Sequence, residues 1–261
     1  MDISLKGKTA VVCGSTQGIG RAIAEEFASL GATCILFARN EDALKEVTAK
    51  LDRSHGQEHQ YRVADFSKPE QVKELINELV GKFRVQILVN NTGGPPSGPI
   101  LEASEDAFLK AFDQHLICNH ILTKAVVPSM KDSGYGRIIN IISTSIRIPL
   151  RNLGVSNTTR GAVALWAKTM SYELGKFNIT VNNILPGFTN TQRIETLISN
   201  NARARNVDPE TIRKEMTAEI PMQRFGEPTE TAAVAAFLAS PAASYVSGAS
   251  IPVDGGKTGT I

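Results

Sequence analysis

Short aliphatic and β-branched runs alternate along this chain with longer stretches in which apolar side chains recur every three or four residues. The runs fall at residues 9–13, 33–37, 61–64, 87–89, 137–142, 180–185 and 249–253. Such runs read as strands, and the helical patterns between them mean βαβ units. These units close as right-handed crossovers, and nearly continuous apolar strands suit a parallel sheet covered on both faces. The expected fold class is α/β, a doubly wound parallel sheet of seven strands in a three-layer sandwich.

The helical stretches carry their own punctuation. Residues 20–29 follow a helical stripe of Ile19, Ile23, Phe27 and Leu30, and Gly31 ends it as a C-terminal cap. Residues 40–53 repeat the stripe with Leu44, Val47 and Leu51, and a further helix is expected over 107–127. Residues 190–219 are polar, include Arg203, Arg205, Arg213 and Lys214, and lie between Pro186-Gly187 and Pro221. They read as a helical lid over a site, at about 190–220. With no repeat, linker or low-complexity stretch, residues 1–261 form one expected domain.

Composition narrows the setting. Of 261 residues, 42% are hydrophobic and 21% charged, with a net charge of +2, which argues for neither nucleic acid nor an anionic membrane as partner. Cys13, Cys34 and Cys118 sit among apolar residues without metal-type spacing, so neither a disulfide framework nor a metal site is expected. The first residues have no apolar signal core, and no run reaches ~18 apolar residues, so a cytoplasmic, reducing setting is expected.

The first strand leads into Gly14-Ser15-Thr16-Gln17-Gly18-Ile19-Gly20 and then a helix. Glycines there let the backbone turn tightly against a pyrophosphate, and the helix N-terminus offers unpaired N–H groups and a positive dipole end. The spacing is Gly-x-x-x-Gly-x-Gly, whereas the common Rossmann fingerprint is Gly-x-Gly-x-x-Gly, and alone it is equally a simple strand-to-helix turn.

Further landmarks follow in order: Asp65, Asn90-Asn91-Thr92-Gly93, 136–141 leading to Ser143, Val181-Asn182, Pro186-Gly187, and Gly248 with Val253-Asp254-Gly255-Gly256. Together they resemble the short-chain dehydrogenase/reductase family, nearest its β-ketoacyl carrier-protein reductase-like branch, over nearly the whole chain. The resemblance implies a Rossmann-type domain and a bound nicotinamide dinucleotide. The turn residues Gly14, Ser15, Gln17, Gly18, Ile19 and Gly20 would meet its phosphates. Asp65 and Phe66 would lie near its adenine, Asn91 and Gly93 beside the adenosine ribose, and Pro186, Gly187 and Thr191 near the nicotinamide. After the second strand stand Arg39 and Asn40 where an acidic residue would favour NAD. An arginine pairs with a 2′-phosphate, so NADP is expected over NAD, the alternative being that Arg39 is a solvated strand end.

In relatives, asparagine, serine, tyrosine and lysine carry the chemistry. Ser143 matches the serine, but His115 stands at the asparagine position, Ser156 at the tyrosine position and Arg160 at the lysine position. Tyr172 and Lys176 have the right letters too far along and read as the end of a helix. A serine hydroxyl donates a hydrogen bond but is a far weaker acid than a phenol, and arginine stays protonated. Losing a general acid removes a factor of ~10²–10⁴, while holding donor and acceptor together supplies ~7–11 kcal/mol, so hydride transfer can survive. His115 is either a proton relay or a packed structural histidine. Gly93 to Pro99 would form a stiff pocket wall, and Arg147 and Arg151 would attract an anionic group or lie exposed.

The resemblance implies an NADP-dependent oxidoreductase, 3-oxoacyl carrier-protein reductase-like, acting on a carbonyl or alcohol in a small-molecule or acyl-thioester substrate. The competing reading is a non-catalytic dinucleotide-binding relative, a sensor or partner subunit. A homotetramer is also implied, with Leu165, Trp166 and Met170 as candidate interface residues.

Overall fold

A computed structural model describes residues 1–259. Its seven strands all pair in parallel, in the order β3-β2-β1-β4-β5-β6-β7. From β1 (Thr9–Cys13) the chain passes through α1 (Gly18–Ser29) to β2 (Thr33–Ala38), then through α2 (Glu41–Lys50) to β3 (Gln60–Val63). Next, α3 (Pro69–Val80) returns it to β4 (Ile87–Asn90) beside β1. The order therefore reverses between β1 and β4, and the crevice beyond the strand ends at such a reversal is where these sheets bind ligands.

Beyond β4 come α4 (Glu105–Phe112), α5 (Cys118–Asp132), β5 (Gly136–Ile141), α6 (Gly154–Leu174) and β6 (Ile179–Pro186). The chain ends with α7 (Gln192–Arg205), α8 (Pro209–Ala218), α9 (Pro228–Ala239) and β7 (Ser250–Val253). Alternate strand residues serve opposite faces, so Ala10 and Val12 meet α1, α2 and α9, while Val11 and Cys13 meet α3, α5 and α6. Phe27 and Leu79, both fully buried, anchor the two layers, each contributing about 1.5–3 kcal/mol by its removal from water.

Four neighbouring strands are joined by a buried row of side-chain amides. Asn90 donates to Asn140 (2.9 Å), Asn140 to Asn183 (3.0 Å), and Asn183 to the Ser250 hydroxyl (3.1 Å). Each pair is also a register pair of the sheet.

Two stretches differ from the simple periodic reading. The helix expected over 107–127 widens into a π-turn at Asp113–Ile117 and then runs through Pro128 to Asp132. An extra residue in a turn rotates everything after it by about 100°, so one helical wheel cannot describe both halves. The polar segment after β6 folds as α7 and α8, which close on Ile194, Ile198, Ala202, Ile212 and Met216. Four of its charges face outward in two pairs: Arg213 to Glu195 at 2.6 Å, and Arg205 to Glu215. Of the candidate interface residues, Leu165 is 71% exposed, whereas Trp166 and Met170 pack against the core.

Candidate active site

The glycine turn after β1 is shaped by the chain that crosses it. A Cβ on Gly14, whose φ is +61°, would lie 2.5 Å from the Asn91 carbonyl oxygen, and one on Gly20 would lie 2.1 Å from the Gly14 carbonyl oxygen. Asn91 fastens the turn from β4 by donating to the carbonyls of Cys13 (3.1 Å) and Gly14 (3.3 Å). Gln17, the residue before α1, makes no side-chain cap. The first N–H groups of α1 therefore keep their capacity to bind an anion.

This turn forms one end of a cavity of about 550 Å³ at the β1/β4 reversal. Of the residues expected at the cofactor, Gly14, Gln17, Gly18, Ile19, Arg39, Asn40, Phe66, Asn91, Gly93, Pro186, Gly187 and Thr191 line it. Ser15 and Gly20 stand behind this wall, Ser15 with no exposure, and Asp65 lies beside Phe66 with its carboxylate accepting from the Ser67 hydroxyl (2.8 Å). Asn40 has a second task, capping α2 by accepting from Ala43 N–H at 3.0 Å.

Ser143, Ser156 and Arg160 line the other end. Ser143 follows β5, and its hydroxyl oxygen accepts the Ser145 N–H at 3.0 Å. One acceptor site of that oxygen is thereby filled, and its proton remains to be donated into the cavity. Ser156 and Arg160 lie one turn apart on α6, 8% and 9% exposed. The Arg160 guanidinium donates to the carbonyls of Ile141 (3.0 Å) and Thr92 (3.3 Å). Burial first, then the positive charge of Arg193, pushes its pKa down to about 10, so it remains charged at neutral pH.

His115 is placed differently. It is 1% exposed within the π-turn and is not part of the cavity wall, to which its neighbour Gln114 belongs. Its Nδ1 is 2.5 Å from the hydroxyl of Thr92, which does line the cavity. Burial, with Arg160 and Arg193 nearby, pushes the imidazole down to about 2, so it is neutral and reaches the cavity only through Thr92. Tyr172, 77% exposed on the distal part of α6, lies outside the wall, with Lys168 5.3 Å over its ring. Arg147 turns to β7 and donates to the Ser250 carbonyl at 3.2 Å.

Several lining residues escaped the sequence reading: Thr189, Arg193, Leu197 and Lys257. Arg193 and Leu197 are four apart on α7, a spacing that could have marked one helix face toward the site. Lys257 reaches the site from the tail after β7, where no periodicity exists to read. A second hollow adjoins this cavity beneath α7 and α8, bordered by Pro99, Ile148, Arg151, Leu197 and Met216.

The donor set fits a phosphate-bearing dinucleotide. An uncapped helix faces the cavity, backbone approach is close at Gly14, an arginine follows β2, and no acidic side chain lines the wall among the described residues. No group of three or more histidine, cysteine or acidic residues is placed to hold a metal among the described residues.

Comparison with known proteins agrees with this geometry. Residues 14–258 match a family model described as enoyl-(acyl carrier protein) reductase. The 7α-hydroxysteroid dehydrogenase of Escherichia coli is 32% identical, covering 98% of this chain and 96% of the dehydrogenase. The L-sorbose reductase of Gluconobacter frateurii, solved with NADPH and L-sorbose, superposes with a TM-score of 0.94 at 33% identity over 100% of both chains. The 3-oxoacyl (acyl-carrier-protein) reductase of Agrobacterium tumefaciens, solved with NADP, gives 0.87 at 27% identity, covering 97% of this chain and 95% of that one.

Proposed function

The chain belongs to the short-chain dehydrogenase/reductase family, and from that premise we propose that it is an NADP-dependent oxidoreductase, 3-oxoacyl reductase-like, interconverting a carbonyl and an alcohol. The observation that carries this reading is that the glycine turn with its uncapped helix and the trio Ser143, Ser156 and Arg160 open onto one cavity. NADPH, when bound, supplies the hydride.

The chain's own residues supply position and charge. Ser143 donates a hydrogen bond to the substrate oxygen without giving up its proton, and Ser156 adds a second hydrogen-bond donor where relatives use a tyrosine. Arg160, in the place of a lysine, keeps a fixed positive charge beside the developing oxyanion. Neither serine is an acid comparable to a phenol, so the alkoxide takes its proton from water admitted to the cavity, and turnover is slow. His115 acts as a positioning residue, holding the Thr92 hydroxyl and so the loop that receives Arg160. Arg39 reads the 2′-phosphate, and α7 with α8 forms the lid over a single domain.

The substrate is a small molecule or an acyl thioester, and the exposed Leu165 contributes to a homotetramer in a cytoplasmic setting. Sedimentation at micromolar concentration should give four copies, and a monomer would remove that part of the reading. For the chemistry, NADPH binding followed by fluorescence and NADPH oxidation across a panel of ketones and 3-oxoacyl thioesters is the test. Tight binding with slow turnover is expected. Binding without any turnover leaves the non-catalytic reading in its place.

A further inference from the structure

The cavity wall has charged side chains of one sign only. Arg39, Arg160, Arg193 and Lys257 line it, with no aspartate or glutamate among the described residues. Lys257 is already paired with Glu219. The three arginines enter no ion pair among the described residues. In and near the lid Arg205, Arg213 and Arg224 each meet a glutamate, whereas Arg203 points outward without an ion pair and faces no cavity among the described residues.

Arg39 sits at the glycine-turn end, where a cofactor phosphate accounts for it. Arg160 and Arg193 converge on the other end from different elements. Arg160 comes from α6, is buried, and is held by two carbonyls. Arg193 comes from α7 and donates to the Gly94 carbonyl at 3.2 Å. Its guanidinium lies over Gly94 so closely that a Cβ there would be 2.7 Å from Nη2. Burial first, then the charge of Arg193, depresses Arg160, and burial first, then both arginines, depresses His115, so positive charge gathers at this end with no anion to offset it.

Buried arginine without a carboxylate is not by itself informative, and Arg137 shows why. It is 1% exposed, but three carbonyls accept from it and the Tyr135 ring stacks on it at 4.0 Å. Arg160 has two carbonyls and an open cavity face. A guanidinium carries five N–H donors in a planar fork that matches a carboxylate.

We propose that Arg160 and Arg193 form a carboxylate-binding subsite at the Ser143 end of the cavity, and that the physiological substrate is an oxo or hydroxy carboxylic acid. This deepens the oxidoreductase reading and rests on it. The substitution of lysine by arginine is then a change of specificity: the fork grips the acid group and turns the neighbouring carbonyl toward Ser143. The lid, through Arg193, closes on a charged substrate in preference to a neutral one.

Malonate and its neutral counterpart malonamide are suitable probes, titrated calorimetrically into protein saturated with NADP. NADPH affinity is measured separately by fluorescence. Malonate should bind and malonamide should not. Arg160→Gln and Arg193→Gln should each weaken malonate at least tenfold while NADPH affinity stays within threefold, and Arg160→Lys should recover only part of the loss. If Arg160→Gln fails to fold, by circular dichroism, Arg193→Gln decides alone.

Equal binding of both probes, or no binding of malonate to the NADP-loaded protein, overturns the subsite. So does a tenfold loss of NADPH affinity in Arg193→Gln, which would assign that guanidinium to the cofactor diphosphate. Failure of NADPH to bind the unaltered protein would instead defeat the oxidoreductase reading itself.

Discussion

The two ends of the cavity are built from different materials. At the glycine turn the wall is shaped by backbone: Gly14 and Gly20 are pressed against carbonyl oxygens, and Asn91 fastens the turn. At the Ser143 end the wall is side chains supported by carbonyls, as with Arg160 on Ile141 and Thr92. A backbone wall tolerates almost no substitution, because every added atom meets main chain. A side-chain wall can exchange one donor for another without moving the sheet beneath it. A scaffold built this way can keep one end of its cavity while the other end changes chemistry.

The largest test of this contrast is a gain. Ser156→Tyr with Arg160→Lys supplies a phenol and its lysine, and NADPH turnover on a neutral ketone should rise by ~10²–10⁴, with NADPH affinity little changed. If the rate does not rise, the reactive end is less exchangeable than its construction suggests. At the other end, Gly14→Ala should weaken NADPH at least about thirtyfold in a fluorescence titration, since a side chain in this left-handed, main-chain-packed position costs roughly 2 kcal/mol or more to seat. Retention of full affinity would show that the backbone there gives way.

His115 sharpens the comparison through stability. In the fold it is neutral above about pH 2, whereas in the unfolded chain it protonates near 6.5. Its contribution is therefore complete above pH 6.5 and is lost as pH falls, since only the unfolded chain takes up the proton. By pH 5 this loss amounts to about 2 kcal/mol, and His115→Asn should remove it from the difference between denaturant melts at pH 7 and pH 5. An unchanged pH dependence would mean that the imidazole is not held neutral. Smallest is Arg39→Ala, expected to weaken NADPH about tenfold and leave NADH alone, the low end of a hydrogen bond to a charged group.

The backbone end was also the more legible in sequence. Gly14, Gly18 and Gly20 mark their turn because no other residue fits it, and seven strand runs with helices between them admit few arrangements. Ser143, Ser156 and Arg160 could be placed by counting along the chain, since α6 is regular from Gly154 to Leu174. His115 could not, because the π-turn shifts the helical phase and turns Gln114 toward the cavity. Arg193 was hidden in a polar segment whose neighbouring charges pair outward. Only its four-residue spacing from Leu197 distinguishes this arginine from those aimed at a glutamate. Lys257 joins the wall only because the tail after β7 folds back over it.

The row of amides across β4, β5, β6 and β7 acts as a gauge during assembly. All three donate in one direction along the row, so each strand has a partner at only one height. A strand that slips by one residue turns its amide to the opposite face and strands two buried polar groups, at roughly 1–3 kcal/mol each. Misaligned sheets are disfavoured by that cost. Because β4 and β6 lead directly into Asn91 and Gly187, and β5 reaches Ser143 after one intervening residue, the same register preference sets the relative heights of the cavity's two ends.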